Sequence, residues 1–280
     1  MLSSLSPGLY IVATPIGNLG DITNRAADIL ARVDHIACED KRLTSRLLPH
    51  LGIKKPLLSY HDHSNEQERA RIVMMMATQA IALVSDAGTP LISDPGYKLV
   101  RDARAAGVAI TTLPGPCAAI AAITLAGLPT DRFLFAGFLP PKSGARRTAI
   151  GELAQVPASL VFYESGPRLA ASLADLATVL GNREACIARE LTKIYEEAVT
   201  GTLSDLAARY TDAPAPKGEI VIVIAPPDAP PAPDAADVDA ALRDALASMS
   251  AAKAASFVAK ATGADRHALY AQAIKIKSAP

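Results

Sequence analysis

Short apolar runs rich in β-branched residues alternate along the chain with alanine- and leucine-rich stretches of helical period, which is typical of α/β proteins. The runs predict strands at residues 9–13, 35–38, 81–85, 108–113, 133–137, 160–163, 185–188, 198–201 and 220–224. The helical stretches predict helices at residues 23–32, 44–51, 66–79, 95–106, 117–126, 146–155, 168–180 and 204–210. Asp94 can cap the helix at 95–106, where Pro95 suits the first turn and Gly107 would end it.

The pattern breaks at residue 225, where a run rich in proline begins. Such a run can form neither a helix nor a central strand, so it predicts an extended linker. Beyond it, the sequence predicts three short helices at residues 238–247, 251–261 and 265–275, as in a small helix-turn-helix-like module. We therefore expect an N-terminal α/β domain (1–115), a C-terminal α/β domain (116–225), a linker (226–236) and a helical tail module (237–280).

Composition narrows the class of protein further. The chain has 28 basic and 28 acidic residues, so only local clusters of basic residues could serve a nucleic acid. Cys38, Cys117 and Cys186 are far apart and lack metal-ligand spacing, which predicts free thiols and no bound metal. There is no N-terminal signal pattern and no apolar run near the ~20 residues of a spanning helix, so we expect a cytoplasmic protein without membrane association.

Four loops rich in glycine and proline follow predicted strands, at residues 14–21, 85–95, 114–118 and 164–168. Glycine lets the backbone approach a ligand, and proline holds a loop in one shape without an N–H to satisfy. Ligands of α/β proteins bind at the carboxyl ends of strands, so the four loops together predict one cleft. The chain has no G-x-G-x-x-G after its first strand and no P-loop motif, which disfavours the usual nucleotide sites.

Several of these segments carry a resemblance to a known family. Residues 9–21 read Leu-Tyr-Ile-Val-Ala-Thr-Pro-Ile-Gly-Asn-Leu-Gly-Asp, and residues 85–96 read Ser-Asp-Ala-Gly-Thr-Pro-Leu-Ile-Ser-Asp-Pro-Gly. With residues 38–40, 162–168, 188–193 and 217–219, they resemble in order the tetrapyrrole-methylase-like superfamily, and more narrowly its bacterial 16S ribosomal RNA cytidine 2′-O-methyltransferases. The match over 85–96 is highly specific. Lys41 and Cys117 depart from the family pattern, which usually has threonine and serine there.

The resemblance implies two α/β domains with S-adenosylmethionine in the cleft between them, and a homodimer. It also implies methyl transfer to the ribose 2′-oxygen of a cytidine in the decoding centre, with 16S ribosomal RNA in the small subunit as partner. By position, the residues expected to bind the cofactor are Thr14, Pro15, Gly17, Ser85, Asp86, Gly88, Thr89, Pro90, Ser93, Pro114, Cys117, Ala118, Glu164, Ala188, Arg189 and Glu190.

Methyl transfer from a sulfonium is an in-line displacement that needs alignment and removal of the hydroxyl proton, but no metal. We expect Asp86 and Glu164 at the cleft as the catalytic carboxylates, and Glu39, Asp40 and Glu190 are further candidates for the base. Catalysis by positioning alone is the alternative.

Basic residues cluster in three places, one of which is formed by Lys142, Arg146 and Arg147. Residues 41–71 hold seven Lys or Arg against three acids, and residues 238–280 hold six against three. Such patches can contact phosphates, and the predicted RNA-binding residues are Lys41, Arg42, Arg46, Lys142, Arg146 and Arg147. His61 and His63 have no third ligand in view and are interpreted as loop residues. Aromatic residues make up only 4%, which favours a folded particle over base-stacked single strands.

Two other functions fit parts of the sequence. A methyltransferase of the same superfamily that acts on a corrinoid or porphyrin precursor would have a similar cleft, but the basic patches and the tail module favour RNA. A non-enzymatic protein whose tail helices dock in a nucleic-acid groove is the second alternative. It is disfavoured because the tail has no helix dense in Arg, Asn and Gln.

Overall fold

The structure is a computed structural model that describes residues 5–61, 65–228 and 234–278. The chain divides into two compact units, Met1–Pro227 and Asp228–Pro280. Residues 229–233 of the predicted linker and His63 lie outside the described residues. The two sheets described below confirm two α/β halves in the first unit, whereas the domain boundary near residue 115 stays a prediction.

The first sheet has five parallel strands in the order β3-β2-β4-β1-β5. Its strands are β1 (Gly8–Val12), β2 (His35–Cys38), β3 (Leu57–Ser59), β4 (Ala80–Val84) and β5 (Ile110–Leu113). The helices around it are α1 (Asn24–Arg32), α2 (Lys41–His50), α3 (Glu66–Met75) and α4 (Tyr97–Ala105). Every residue of β4 is buried, as expected for a central parallel strand covered on both faces. Separate apolar clusters, one around Leu30 and one around Leu99, form the core of this half.

The second sheet has the order β6-β7-β10-β8-β9, in which only β6 and β7 are parallel. Its strands are β6 (Phe133–Phe138), β7 (Ser159–Ser165), β8 (Glu184–Arg189), β9 (Glu197–Thr202) and β10 (Glu219–Ile224). Its helices are α5 (Ala118–Ala126), α6 (Ser143–Leu153), α7 (Gly166–Leu180) and α8 (Leu203–Thr211). Residues of α5 share one apolar cluster with Val161 and Val221, and residues of α6, α7 and α8 share another with Phe162.

The second unit contains the three predicted tail helices, α9 (Ala235–Ser248), α10 (Ala251–Thr262) and α11 (Arg266–Ser278). The Asp234 side chain caps α9, and Gly263 ends α10 in the left-handed conformation that glycine adopts without strain. Leu242, Val258 and Leu269 are buried in the small core that the three helices share. The sequence interpretation of the tail as a three-helix module is therefore confirmed.

Several element boundaries differ from those predicted. The helix expected at 95–106 begins at Tyr97, because Gly96 before it has a φ of 142° that only glycine adopts readily. The prediction that Asp94 and Pro95 start this helix was wrong, whereas Gly107 does follow its end. The short strand β3 was missed. Helix α2 begins at Lys41, earlier than predicted, because the Asp40 side chain accepts the Arg42 N–H and caps it.

The three cysteines agree with the sequence-based expectation of free thiols. Cys38, Cys117 and Cys186 are free thiols. Burial raises the pKa of both Cys38 and Cys186 above the usual thiol value. Among the described residues, no helix has the length and apolar character needed to cross a bilayer.

Candidate functional site

A cavity of about 320 Å³, the main cavity, lies where loops of both halves of the first unit meet. It is lined from the first half by Ile16, Asp86, Ala87, Gly88, Thr89, Ile92, Ser93 and Asp94. The second half contributes Ala118, Phe138, Tyr163, Glu164, Ser165, Leu191, Gly218, Glu219, Ile220 and Val221. Its size is that of a small-molecule site, and it lies beside the carboxyl ends of β4 and β7. The predicted cleft between the two halves therefore exists.

The loops after β1, β4 and β5 are joined to one another by hydrogen bonds to backbone carbonyls. The Thr14 N–H donates to the Gly88 carbonyl at 2.8 Å, and the Gly88 N–H donates to the Thr14 carbonyl at 3.0 Å. The Thr89 hydroxyl donates to the Pro116 carbonyl at 2.9 Å. Gly88 has a φ of 76°, and a side chain there would press against Ile16. These loops thus form a fixed wall made largely of backbone groups.

Asp86 lies on this wall as an exposed carboxylate. Its Oδ1 accepts a hydrogen bond from the Asp40 N–H at 3.0 Å, which links the wall to the start of α2. The Asp40 carboxylate in turn pairs with Arg42 at 2.6 Å. The hydrogen bond from the Arg42 side chain lowers the pKa of Asp40 to about 2. The backbone of one acidic residue therefore orients the carboxylate of another at the cavity.

Glu164 lies on the opposite wall, and its side chain is only 1% exposed. One carboxylate oxygen, Oε1, accepts the Ser165 N–H at 2.8 Å and pairs with Arg168 at 3.2 Å. The other oxygen accepts the Ser172 hydroxyl at 2.6 Å. Since protein groups engage both oxygens, this carboxylate is poorly placed to take a proton from a substrate and well placed to hold Ser165.

Aromatic residues form the next part of this wall. The Tyr163 ring packs edge-on against Phe135 and Phe138, with centroid distances of 4.8 and 5.6 Å. The Tyr163 hydroxyl accepts the Ala119 N–H at 3.3 Å. Burial raises the pKa of Tyr163 well above its usual value, so the phenol stays protonated at neutral pH.

The first residues of β10 also line the main cavity, a feature that sequence reasoning missed. The rule that ligands bind at the carboxyl ends of strands does not identify these residues, because β10 runs antiparallel to β7 and pairs Ile220 with Glu164 and Glu219 with Ser165. Its beginning therefore lies beside the end of β7. The signal that the sequence offers is the segment at 217–219, which belongs to the family resemblance.

The loop after β8 is hydrogen-bonded to the start of β10, at the edge of the main cavity. Glu190 accepts hydrogen bonds from the Lys193 ammonium at 2.7 Å and from the Glu219 N–H at 3.2 Å. The bond from Lys193 lowers the pKa of Glu190 below the usual range. Arg189 pairs with Glu197 at 3.0 Å. Arg189 and Glu190 are therefore tied to their neighbours and do not line the main cavity.

The predicted cofactor residues fall into two groups. Asp86, Gly88, Thr89, Ser93, Ala118 and Glu164 line the main cavity. Those that do not line it are Thr14, Pro15, Gly17, Ser85, Pro90, Pro114, Cys117, Ala188, Arg189 and Glu190, although most lie in the same loops. Lining residues missed by the sequence-based site prediction include Ile16, Ile92, Phe138, Tyr163 and Leu191.

The charge of the main cavity restricts what it can hold. Asp86, Asp94, Glu164 and Glu219 line it, and none of the described lining residues is Lys, Arg or His. The charge of Glu219 is partly neutralised by an ion pair with Lys193 at 2.7 Å, and that of Glu164 by an ion pair with Arg168. Such a lining suits a ligand with positive charge and repels phosphate groups. Within the described part of the chain, no cluster of three His, Cys, Asp or Glu side chains could hold a metal ion.

The predicted RNA-binding residues differ in their availability. Lys41, Arg42 and Arg46 are exposed on α2, and so are Lys142 and Arg147 near the start of α6. Arg146, by contrast, is 4% exposed and pairs with the Asp175 carboxylate at 2.7 Å. The prediction that Arg146 contacts RNA was wrong, because a buried acid on α7 needs this guanidinium as its counter-charge.

Comparison with known proteins gives relatives for both units. The family described as Tetrapyrrole (Corrin/Porphyrin) Methylases matches residues 8–207, and the RsmI C-terminal HTH domain matches residues 232–277. A protein of Erythrobacter litoralis named Ribosomal RNA small subunit methyltransferase I is 59% identical over 274 residues, which cover 98% of this chain and 97% of that protein. The protein of the same name from Mesorhizobium japonicum is 49% identical, with 98% and 93% covered.

Solved structures of similar fold agree with the match to the tetrapyrrole methylase family. The uroporphyrin-III C-methyl transferase from Thermus thermophilus, complexed with S-adenyl homocysteine, has a TM-score of 0.54 at 18% identity. The match covers 77% of this chain and 96% of that one. Because the family model spans most of the first unit and the relatives align over nearly the whole chain, the chain belongs to the tetrapyrrole methylase family.

Proposed function

We propose that this protein uses S-adenosylmethionine to methylate the RNA of the small ribosomal subunit, at the ribose 2′-oxygen of a cytidine in the decoding centre. The observation that carries the proposal is the 59% identity, over almost the full length of both chains, to a protein named for small-subunit ribosomal RNA methylation. The choice of cytidine and of the 2′-oxygen is narrower than that name and depends on the resemblance of residues 85–96 and its companion segments.

The main cavity fits S-adenosylmethionine by its chemistry. The cofactor carries a sulfonium and an ammonium, and the cavity is lined by carboxylates without a basic residue among its described lining. Apolar side chains such as Ile92, Leu191 and Val221 offer surface for an adenine ring. The close approach at Gly88 leaves backbone groups, not side chains, to contact the ligand. S-adenyl homocysteine in the structure of a fold relative is consistent with this choice.

When bound, the cofactor supplies a methyl group that is already activated on sulfur, so the protein's task is to align the acceptor and to manage its proton. We assign Asp86 to the site of transfer, because it is the exposed carboxylate on the wall and is oriented by the Asp40 N–H. We assign Glu164 a positioning role, since its oxygens hold Ser165 and Ser172. The remaining residues of the loops after β1, β4 and β5 support the wall.

Binding of ribosomal RNA would use the exposed basic residues outside the cavity. One group is formed by Lys41, Arg42 and Arg46 on α2, which begins directly after Asp40, the residue whose N–H donates to Asp86. The second group is formed by Lys142 and Arg147. The tail unit matches a helix-turn-helix domain and carries six basic residues over 238–280. We expect these basic groups to contact phosphates of the RNA. We also place the protein in the cytoplasm, where its ribosomal substrate is.

We also propose a homodimer. Ile194 and Tyr195, in the loop after β8, are 90% and 70% exposed, and Ile120 and Leu125 on α5 are exposed as well. Burial of such side chains by a second copy would remove apolar surface from water. Light scattering should give about twice the 29.1 kDa of one chain, and a mass of one chain at every concentration would refute the dimer.

The test of the function is methyl transfer to unmodified small subunits, followed by mapping of 2′-O-methyl nucleotides in the RNA. We expect one new 2′-O-methylcytidine in the decoding centre, dependent on S-adenosylmethionine, and no transfer to uroporphyrinogen III in a parallel assay. The proposal fails if no ribose methyl group appears on any small-subunit substrate. Transfer to the tetrapyrrole instead would establish the alternative methyltransferase function.

A further inference from the structure

An exposed aromatic side chain lies at the edge of the main cavity. Phe138, the last residue of β6, is 57% exposed and is one of the residues that line the cavity. Its ring packs against Tyr163 on one side, at a centroid distance of 5.6 Å. Apolar surface left in water beside a ligand site is a candidate for contact with a ligand. The roles assigned above to Asp86 and Glu164 do not involve this ring.

A β-bulge in β6 turns Phe138 toward the cavity. Phe135 pairs with Val161, and Phe138 pairs with Tyr163, so β6 has one residue more than β7 between the two pairs. Side chains alternate between the two faces of a strand. Without the extra residue, Phe138 would therefore lie on the same face as Phe162, which packs against α6 and α7. The bulge places it instead on the face of Phe135 and Tyr163.

Gly137 makes this bulge possible. Its φ is 67°, in the left-handed region that glycine adopts without strain. A Cβ atom on Gly137 would lie 3.0 Å from Ser93 Oγ, so the bulge lies against the loop after β4. Ser93 lines the main cavity, and the same loop carries Asp86. The fold therefore fixes Phe138 beside the wall to which we assign methyl transfer.

The segment that follows the bulge is held in place by two guanidinium groups. Arg146 donates to the carbonyls of Pro140 and Pro141 at 3.5 and 3.2 Å. Arg168 donates to the carbonyl of Leu139. These bonds hold three successive backbone groups, so the exposed ring is mounted on a segment that needs little ordering when a ligand binds.

The charge changes sign just outside the cavity on this side. The segment 138–147 contains Lys142, Arg146 and Arg147 and no acidic residue. The Lys142 side chain is exposed, and that of Arg147 is 52% exposed while it pairs with Asp175. The cavity itself has carboxylates and no Lys, Arg or His among its described lining residues. An aromatic ring beside basic side chains suits an unpaired nucleotide, whose base stacks on the ring while its phosphates contact the cations.

We propose that the Phe138 ring stacks on the base of the acceptor nucleotide and holds it at the edge of the main cavity. The inference rests on the proposed RNA methyltransferase function and adds a residue that positions its substrate. Phe138 and Asp86 line the same cavity, so a nucleotide with its base on this ring brings its ribose toward the site of transfer. The base must leave its stack in the RNA, and the ring replaces part of the stacking that is lost.

The adenine of the cofactor is a less suitable occupant of this ring. Leu191 and Val221 line the same cavity and are only 6% and 4% exposed. Enclosed apolar side chains of this kind offer an adenine more complete burial than a ring that is mostly in water. A second copy of the chain is also a less suitable occupant. Ile194 and Tyr195, proposed for the dimer, follow β8, and β7 and β10 separate that strand from β6 in the sheet.

The experiment compares Phe138→Ala, Phe138→Leu and Phe138→Tyr with wild type in the full chain. Methyl transfer to small subunits gives kcat and KM, and calorimetry gives the Kd for S-adenosylmethionine. We expect Phe138→Ala to lose about fivefold to a hundredfold in kcat/KM for the subunit, as for one lost stacking contact. Phe138→Tyr retains the ring and should be close to wild type, whereas Phe138→Leu should lie between the two. The Kd for S-adenosylmethionine should stay near the wild-type value in all three.

Two further variants serve as controls. Phe133→Ala is matched to Phe138→Ala, because Phe133 is an exposed phenylalanine at the other end of β6 and does not line the main cavity. It should leave kcat/KM unchanged. Lys142→Ala should weaken the dependence of KM on salt, because it removes a phosphate contact. Phe138→Ala should leave that dependence unchanged, because stacking involves no charge.

Each outcome decides a different point. Weaker binding of S-adenosylmethionine by Phe138→Ala, with an unchanged KM for the subunit, would assign the ring to the cofactor and overturn the inference. A smaller mass of Phe138→Ala than of wild type in light scattering would assign it to a second copy and also overturn it. Full activity of Phe138→Ala would overturn it while leaving the proposed function intact. A wild-type protein that methylates no small subunit would remove both. Thermal unfolding verifies that each variant is folded.

Discussion

At the scale of single residues, the edge of the main cavity depends on positions that leave no room for a side chain. Gly218 is the clearest case, because it has a φ of 95° and a Cβ atom there would overlap the Glu190 carboxylate. Glu190 is itself fixed by Lys193, which also reaches Glu219. One glycine thus keeps an ion-paired cluster beside the cavity in place.

Replacement of this glycine should disturb the cluster. We expect Gly218→Ala to lower the free energy of unfolding by about 1–3 kcal/mol, through backbone strain and displacement of Glu190. The measurement is chemical denaturation, with calorimetry of S-adenosylmethionine binding alongside. Gly151→Ala is the control, since Gly151 lies in α6 and a Cβ atom there would meet only open space. This substitution should make the protein slightly more stable. Equal effects of the two substitutions would contradict this account.

The exposed carboxylate of Asp86 should matter for the cofactor. Asp86→Ala removes a negative charge from the cavity and the acceptor for the Asp40 N–H. We expect S-adenosylmethionine to bind about five- to tenfold more weakly and the rate of methyl transfer to fall. Asp131→Ala, at an exposed acid outside the cavity, should leave both unchanged. Full cofactor affinity and full rate in Asp86→Ala would refute the place assigned to this residue.

At the scale of secondary-structure elements, periodicity predicted the long helices and the buried strands, because each has a face that must be apolar. Periodicity failed where an element is too short to show a period, or where the backbone conformation of one residue determines where the element begins. Strand β3 has three residues, too few to show a period, and the start of α4 depends on the φ of Gly96. The role of Arg146 was missed because its partner Asp175 is 29 residues away in sequence. The contribution of β10 to the cavity depends on strand direction, which the apolar pattern does not encode.

The contact between α6 and α7 depends on Asp175. This buried carboxylate accepts hydrogen bonds from Arg146 and Arg147 at 2.7 and 2.6 Å and from the Ser143 hydroxyl at 3.0 Å. We expect Asp175→Asn to lower the free energy of unfolding by about 3 kcal/mol, because it leaves the buried Arg146 without a counter-charge. Chemical denaturation measures the loss, and Glu152→Gln, at an exposed residue of α6, should have little effect. A change below about 0.5 kcal/mol in the free energy of unfolding of Asp175→Asn would contradict a stabilising role of the ion pair.

The same carboxylate should contribute to acid sensitivity. Burial alone would raise the pKa of Asp175, but the hydrogen bonds from Arg147, Ser143 and Arg146 outweigh it and hold the pKa below its usual value. Since an unfolded aspartate titrates near pH 3.9, Asp175 stabilises the fold above about that pH. The stabilisation is lost as the pH falls through the lowered native pKa. Denaturation at several pH values should therefore show wild type and Asp175→Asn converging below about pH 4, and a constant difference would argue otherwise.

At the scale of the whole molecule, the two units should separate in function. Every residue that lines the main cavity lies in Met1–Pro227. A chain that ends after residue 227 is therefore expected to bind S-adenosylmethionine with wild-type Kd. It should show a higher KM for small subunits and a weaker dependence on salt, because six basic residues of the tail are gone. Calorimetry and methyl-transfer assays at two salt concentrations test this, and loss of cofactor binding would contradict it.

The strand order also dictates when each half can fold during synthesis. β10 is the last strand to leave the ribosome, yet it occupies the centre of the second sheet, between β7 and β8. Until residue 224 has emerged, the facing edges of β7 and β8 have no partner, and unpaired strand edges recruit other chains. The first sheet has all five strands once residue 113 is made. A ribosome that pauses between β8 and β10 would therefore hold a finished N-terminal half beside an open, aggregation-prone one.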